Sequence, residues 1–198
     1  GEILATPPEG SLFPETYNFI KGDEREAMIS RLQKKMNDTL EKAWAQANTE
    51  NLPFKTMQEA LTLASIVEKE SGNPDERRKV AGLFINRLKI GMPLQSDPTV
   101  IYGIIDGKPQ NKGMGPLGRR LLKKDLAHES PYNTYIHPGL PPTPICNPGQ
   151  ASIEAVLNPE DHEFLYMVAD GSGGHAFSKT LSGHNQNVAK WRKIRAQQ

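Results

Sequence analysis

The 198-residue sequence predicts an α+β fold: a helical first half packed with a loop-rich region and a small antiparallel sheet, in a single compact domain. Three observations carry this. Apolar residues recur every three or four positions between residues 23 and 90. Eighteen of the 33 Gly and Pro residues fall between 91 and 149. Near the C terminus, a Gly-rich turn separates two short stretches that alternate as strands do. The 24 Lys and Arg nearly balance 23 Asp and Glu, for a net charge of +1. That argues against a long basic surface for nucleic acid and against an acidic solvating tail. With Cys146 as the sole cysteine, no intrachain disulfide or Cys-based zinc cage can form. The apolar runs are far shorter than the roughly 20 residues that span a bilayer.

Within the entry segment 1–22, Gly1–Gly10, with Pro7, Pro8 and Gly10, reads as a loop or a trimmed junction, and a start at Gly1 suggests a piece of something longer. The first helix is predicted over Asp23–Ala47, where Ile29, Leu32, Met36, Leu40, Ala43 and Ala47 form one stripe. Asp23, Glu24 and Glu26 suit its positive N-terminal end. A second helix is predicted over Met57–Glu70, with Leu61, Ala64 and Val67 on one side, and Ser71-Gly72-Asn73-Pro74 stops it. A third runs from Asp75 to Ile90 on Val80, Leu83, Phe84 and Leu88, with Gly91 placed for a left-handed cap. Residues 91–149 then read as ordered loop with few regular elements. Strands are expected over Glu163–Ala169 and His175–Thr180, and a last helix over Gln186–Gln197. The chain thus divides into a lead-in (1–22), a helical part (23–90), a loop-rich part (91–149) and a hairpin with its helix (150–198).

The chemistry concentrates at the end of the second helix. Glu70 lies three residues after Val67 and seven after Leu63, and Glu68 four after Ala64 and seven after Leu61. Each therefore projects near an apolar stripe, where the ionised form is disfavoured and a carboxyl keeps its proton, as a general acid must. A solvated glutamate pair at a helix end has the same spacing, and spacing does not choose between the two residues. The five histidines form no HExxH or other close ligand pair, so no metal and no cofactor is expected. No G-x-S-x-G elbow or phosphate-cradling loop is present. Asp170, His175 and His184 stand close in sequence and could line a polar cleft or simply face solvent. Gln95-Ser96-Asp97 and Tyr132-Asn133-Thr134-Tyr135 offer amides, hydroxyls and rings suited to a sugar, or else ordinary turn packing.

Leu63-Ala-Ser-Ile-Val-Glu-Lys-Glu70-Ser71 and Val80-Ala-Gly-Leu-Phe-Ile-Asn-Arg-Leu88 closely resemble motifs of the YceG-like family of endolytic murein (peptidoglycan) lytic transglycosylases. The resemblance continues through Ile90 to Gly103, Pro131 to Tyr135, Gly139 to Pro142, Tyr166 to Gly171, Gly174-His175 and His184-Asn185. It implies cleavage of the MurNAc-β-1,4-GlcNAc bond with a 1,6-anhydroMurNAc end. It assigns the catalytic acid to Glu70, the glutamate that precedes Ser71. Gln95, Ser96, Asp97, Tyr132, Asn133, Tyr135, Asp170 and His175 fall in its motifs and are expected to line the glycan groove. The implied partners are peptidoglycan strands and peptidoglycan synthases, in trimming or terminating nascent strands. Full-length members carry a membrane-spanning helix and a LysM-like module, both expected outside this stretch. The resemblance therefore implies a single-pass protein of the bacterial inner (plasma) membrane, with this domain on the periplasmic or extracytoplasmic side. Residues 107–122 are longer and more basic than the family pattern, as a flexible loop or as a contact for anionic wall material. The competing readings are a muramidase-type hydrolase that uses water and a non-catalytic peptidoglycan-binding scaffold domain.

Overall fold

The computed structural model describes residues 5–110 and 115–196. The helix α1 (Arg25–Gln46) is followed by α2 (Met57–Glu70), α3 (Arg77–Lys89), α4 (Asp97–Ile105) and α5 (Gln150–Leu157). The strands β1 (Tyr166–Ala169) and β2 (His175–Ser178) pair antiparallel, with Tyr166 opposite Ser178 and Ala169 opposite His175. The final helix, α6 (Leu181–Arg195), packs on this hairpin. Parts of three expectations lie outside the described residues: the first four residues of the lead-in, 111–114 of the basic insert, and the end of the last helix.

At the centre is α2. Thr56 Oγ1 accepts from the Glu59 backbone N–H at 3.2 Å while Glu59 Oε2 accepts from Thr56 N–H at 3.0 Å, a reciprocal cap that starts the helix. The spacing of Leu61, Ala64 and Val67 predicts one apolar side. Instead every residue from Ala60 to Val67 is buried, because α1, α3, α4 and α5 all pack against it. Leu63, Ile66 and Val67 have no exposed surface, each burial worth on the order of 2 kcal/mol. The hydroxyls on this helix are internally satisfied: Ser65 donates to the Thr62 carbonyl at 2.7 Å and accepts from Ile145 N–H at 3.0 Å.

The third helix starts later than expected. Asn73 Oδ1 accepts from Asp75 N–H at 3.1 Å, and Pro74–Glu76 form a 3-10 turn before α3 begins. Its end follows the expectation: Gly91 takes φ +68°, and Met92 N–H reaches back to the Arg87 carbonyl at 2.9 Å. Two helices fall in or beside ground read as loop. Pro98 masked α4, yet proline fits a first helical turn, where its missing N–H would have had no partner. The eight-residue α5 is too short for periodicity to announce. Both strands are four residues long, shorter than expected. The last helix begins at Leu181, five residues early, because Thr180 Oγ1 caps it by accepting from Gly183 N–H at 3.2 Å.

Gly82, inside α3, marks where the helix touches the segment leading to β1. A Cβ there would stand 2.5 Å from the Glu160 carbonyl oxygen and 2.8 Å from His162 Nε2. Alanine ordinarily stabilises a helix interior over glycine by about 0.5–1 kcal/mol. Here the sign reverses: Gly82→Ala should lower the unfolding free energy by about 1–3 kcal/mol, read as a lower midpoint in urea.

Candidate active site

Glu70 ends α2 at the foot of a cavity of about 280 Å³. The cavity is lined by Leu83, Phe84 and Arg87 of α3, by Gln95 and Asp97, by Tyr135, and by Met167–Ala169 and His175 of the hairpin. Ser96 Oγ donates to Glu70 Oε1 at 2.5 Å. Burial pushes the Glu70 carboxyl up to about 7; the Asp97 charge adds to the rise, while the Ser96 bond and the positive charge of Arg87 oppose it. Desolvation prevails, and a proton stays on Glu70 near neutral pH.

The partners are held by backbone contacts that converge on two buried side chains. Thr134 accepts Gln95 N–H on its carbonyl at 3.0 Å and Ser96 N–H on Oγ1 at 3.1 Å, and its hydroxyl lies 2.8 Å from Thr99 Oγ1. This clamp keeps Gln95 at φ 52°, a left-handed backbone that a non-glycine residue adopts at a cost of about 1–2 kcal/mol. Arg87 is 7% exposed and donates to the Leu165 carbonyl at 2.7 Å and the Leu94 carbonyl at 2.6 Å. It thereby ties α3 to the segment entering β1 and to the loop that carries Gln95. Tyr135 donates to Asp97 Oδ1 at 2.6 Å, and burial with that bond raises its pKa.

Of the expected site residues, the structure brings Gln95, Ser96, Asp97, Tyr135 and His175 to Glu70. Three are placed elsewhere. Asn133 is wholly buried, its amide donating to the Leu126 and His128 carbonyls and accepting from Tyr135 N–H, so it shapes the loop instead of facing the groove. Tyr132 packs its ring 4.7 Å from Tyr102 and bonds Thr143 through its hydroxyl. Asp170 turns into the hairpin, accepting from the backbone and hydroxyl of Ser172, and these bonds hold its pKa below the ordinary value. His184 stacks on Tyr166, its ring pKa lowered by burial.

Glu68 has a different use from Glu70. Its Oε2 accepts from Gly149 N–H at 3.1 Å and from Ser152 Oγ at 2.6 Å, so it caps the N-terminal end of α5. Sequence reasoning passed over Arg87, Thr134 and Glu76 as site residues. Arg87 carried a signal, a charge four residues after Leu83 and three after Phe84 on an apolar stripe. Thr134 stands in the polar Tyr132–Tyr135 run but was not singled out there, and nothing local marked Glu76. A larger cavity of about 820 Å³ lies between α1, α3 and residues 157–162. It contains none of the expected site residues. Its Asn86 and His162 are bonded to backbone of the wall.

The YceG-like family model matches residues 2–190. The chain belongs to the YceG-like family. It is 40% identical over 186 residues to the endolytic murein transglycosylase of Bacillus subtilis (strain 168), covering 93% of this chain and 48% of that protein. It is 35% identical over 188 residues to the endolytic murein transglycosylase of Streptococcus pneumoniae (serotype 2, strain D39), covering 92% and 32%. The chain thus spans half or less of these curated relatives. The crystal structure of a YceG-like protein from Listeria monocytogenes superposes with a TM-score of 0.74 at 36% identity, over 89% of this chain and 53% of that one.

The Glu70 proton links folding to pH. The folded carboxyl keeps its proton up to about 7, whereas the ordinary value is 4.5, so the native state binds more protons between those two values. Stability therefore falls as pH rises through that window and levels off above it. Glu70→Gln carries no ionisable group. It should exceed wild type in stability near pH 8 by at most about 3 kcal/mol, and the gain should vanish toward pH 4. Paired thermal melts across that range measure it.

Proposed function

We propose that this YceG-like domain is an endolytic peptidoglycan lytic transglycosylase, with Glu70 as its single acid and base. The observation that carries the reading is the Glu70 carboxyl, held protonated near neutral pH at the foot of a cavity lined by polar groups. The relatives named endolytic murein transglycosylases supply the substrate class.

Glu70 gives its proton to the glycosidic oxygen as the bond between muramyl C1 and that oxygen breaks. Positive charge develops at C1, and the muramyl 6-hydroxyl attacks it from within the same sugar. The new C1–O6 bond closes the 1,6-anhydro ring, and the hydroxyl proton returns to Glu70. No water is consumed, and proximity within one residue replaces a second catalytic group. Ser96 steadies the carboxyl in both protonation states, donating to Oε1 when Glu70 is ionised. Gln95, Tyr135 and His175 are placed to bind the saccharide beside it. Work on peptidoglycan puts the domain on the extracytoplasmic side, where strands are trimmed beside their synthases.

Asp97 is the feature that favours hydrolysis instead, since it supplies a second carboxylate in the same cavity. The products decide. Purified peptidoglycan digested with the chain should release fragments one water lighter than reducing muropeptides; reducing ends would establish a hydrolase. Glu70→Gln should lower release at least about a hundredfold, and Glu68→Gln should leave turnover close to wild type. Release should also decline as pH rises through about 7, where Glu70 loses its proton.

A further inference from the structure

Glu76 ends the 3-10 turn before α3 and occupies the helix N-cap position. An acidic group there ordinarily bonds the free N–H groups of its own helix. Glu76 makes no such bond. Its carboxylate reaches the start of β2, where Oε1 accepts from the His175 backbone N–H at 2.9 Å and Oε2 lies 2.9 Å from His175 Nδ1. Both side chains are largely buried, 17% and 20% exposed. The hairpin turn is shaped to admit this carboxylate. A Cβ on Gly174 would stand 2.7 Å from Glu76 Oε1, so a larger residue would displace it. His175 lines the Glu70 cavity, and among the described residues no protein group bonds its Nε2.

An ionised carboxylate only accepts, so the 2.9 Å contact keeps a proton on Nδ1. In the neutral ring Nε2 is then an acceptor, with no protein donor among the described residues. We propose that Glu76 is a positioning residue for the reaction. It fixes the rotation and tautomer of His175 so that Nε2 accepts a hydroxyl hydrogen of the amino-sugar residue bound beside Glu70. The inference rests on the peptidoglycan reading above and extends it to a residue that does not touch the saccharide. Two bonds from one carboxylate, to the ring and to the backbone of the same residue, leave the imidazole little freedom to turn away. A tie between the start of α3 and the hairpin would need the backbone bond alone.

Histidine-selective ¹⁵N NMR and turnover on purified peptidoglycan test this in wild type, Glu76→Gln, Glu76→Asp and Gly174→Ala. Wild type should show the Nδ1–H tautomer, and its Nε2 resonance should move when a β-1,4-linked GlcNAc tetramer is added. In Glu76→Gln the side-chain amide donates to Nδ1 and transfers the ring proton to Nε2, so the tetramer response should be lost. Turnover in that variant should fall about 10- to 100-fold, a loss the size of one charge-assisted hydrogen bond. Gly174→Ala should act in the same direction by displacing the carboxylate, and Glu76→Asp should recover part of the loss. Full turnover in a less stable Glu76→Gln would reduce the pair to a structural tie and overturn the proposal. A tetramer that moves other cavity resonances but not Nε2 would overturn it too. If wild type releases no fragments while Nε2 still responds, the catalytic reading fails and the positioning of His175 stands. Silence in both sinks both.

Discussion

The arrangement depends on α2 being surrounded. A helix buried on every face from Ala60 to Val67 cannot rotate or slide without exposing apolar surface, so its last residue is fixed in space. Glu70 inherits that precision. It also inherits the dry surroundings, which favour its protonated form over the ionised one. Packing and protonation here have the same origin, and the helix that anchors the core also presents the desolvated carboxyl.

A rigid carboxyl is useful only if its partners are equally fixed, and loops supply most of them. Two polar side chains solve that problem by bonding backbone. Thr134 clamps residues 95–99 to the Tyr135 loop, and Arg87 ties α3, the Gln95 loop and the segment entering β1 together. A methylated or shortened group at either place would leave buried carbonyl or N–H groups without partners. The left-handed backbone at Gln95 is the visible consequence of such clamping, a conformation kept because its neighbours permit no other.

Five acidic residues near the site show how far environment decides role. Glu70 is desolvated and keeps its proton, whereas Glu68, two residues earlier on the same helix, caps α5. Glu76 forgoes capping α3 and grips His175. Asp97 accepts the Tyr135 hydroxyl within the cavity, and Asp170 is consumed by the hairpin turn. The side chains share one chemistry and differ in what surrounds them.

By itself the sequence determined the α+β class, the first three helices and the hairpin. It also placed Glu68 and Glu70 near an apolar stripe at the end of α2, and left open whether either is solvated. These are local properties: periodicity, caps and turn residues act over a few positions, and the stripe passing through Glu68 and Glu70 is written in that spacing. Spacing left those two glutamates alike and the family resemblance chose Glu70; only the tertiary structure shows their different surroundings, with α5 beside Glu68 and Ser96 beside Glu70. It also placed α4 behind a proline that reads as loop, and it moved Tyr132, Asn133 and Asp170 out of the site. The tie between Glu76 and His175 spans 99 residues of chain. Contacts of that kind have no local signature, since they exist only once the core around α2 has brought distant segments together.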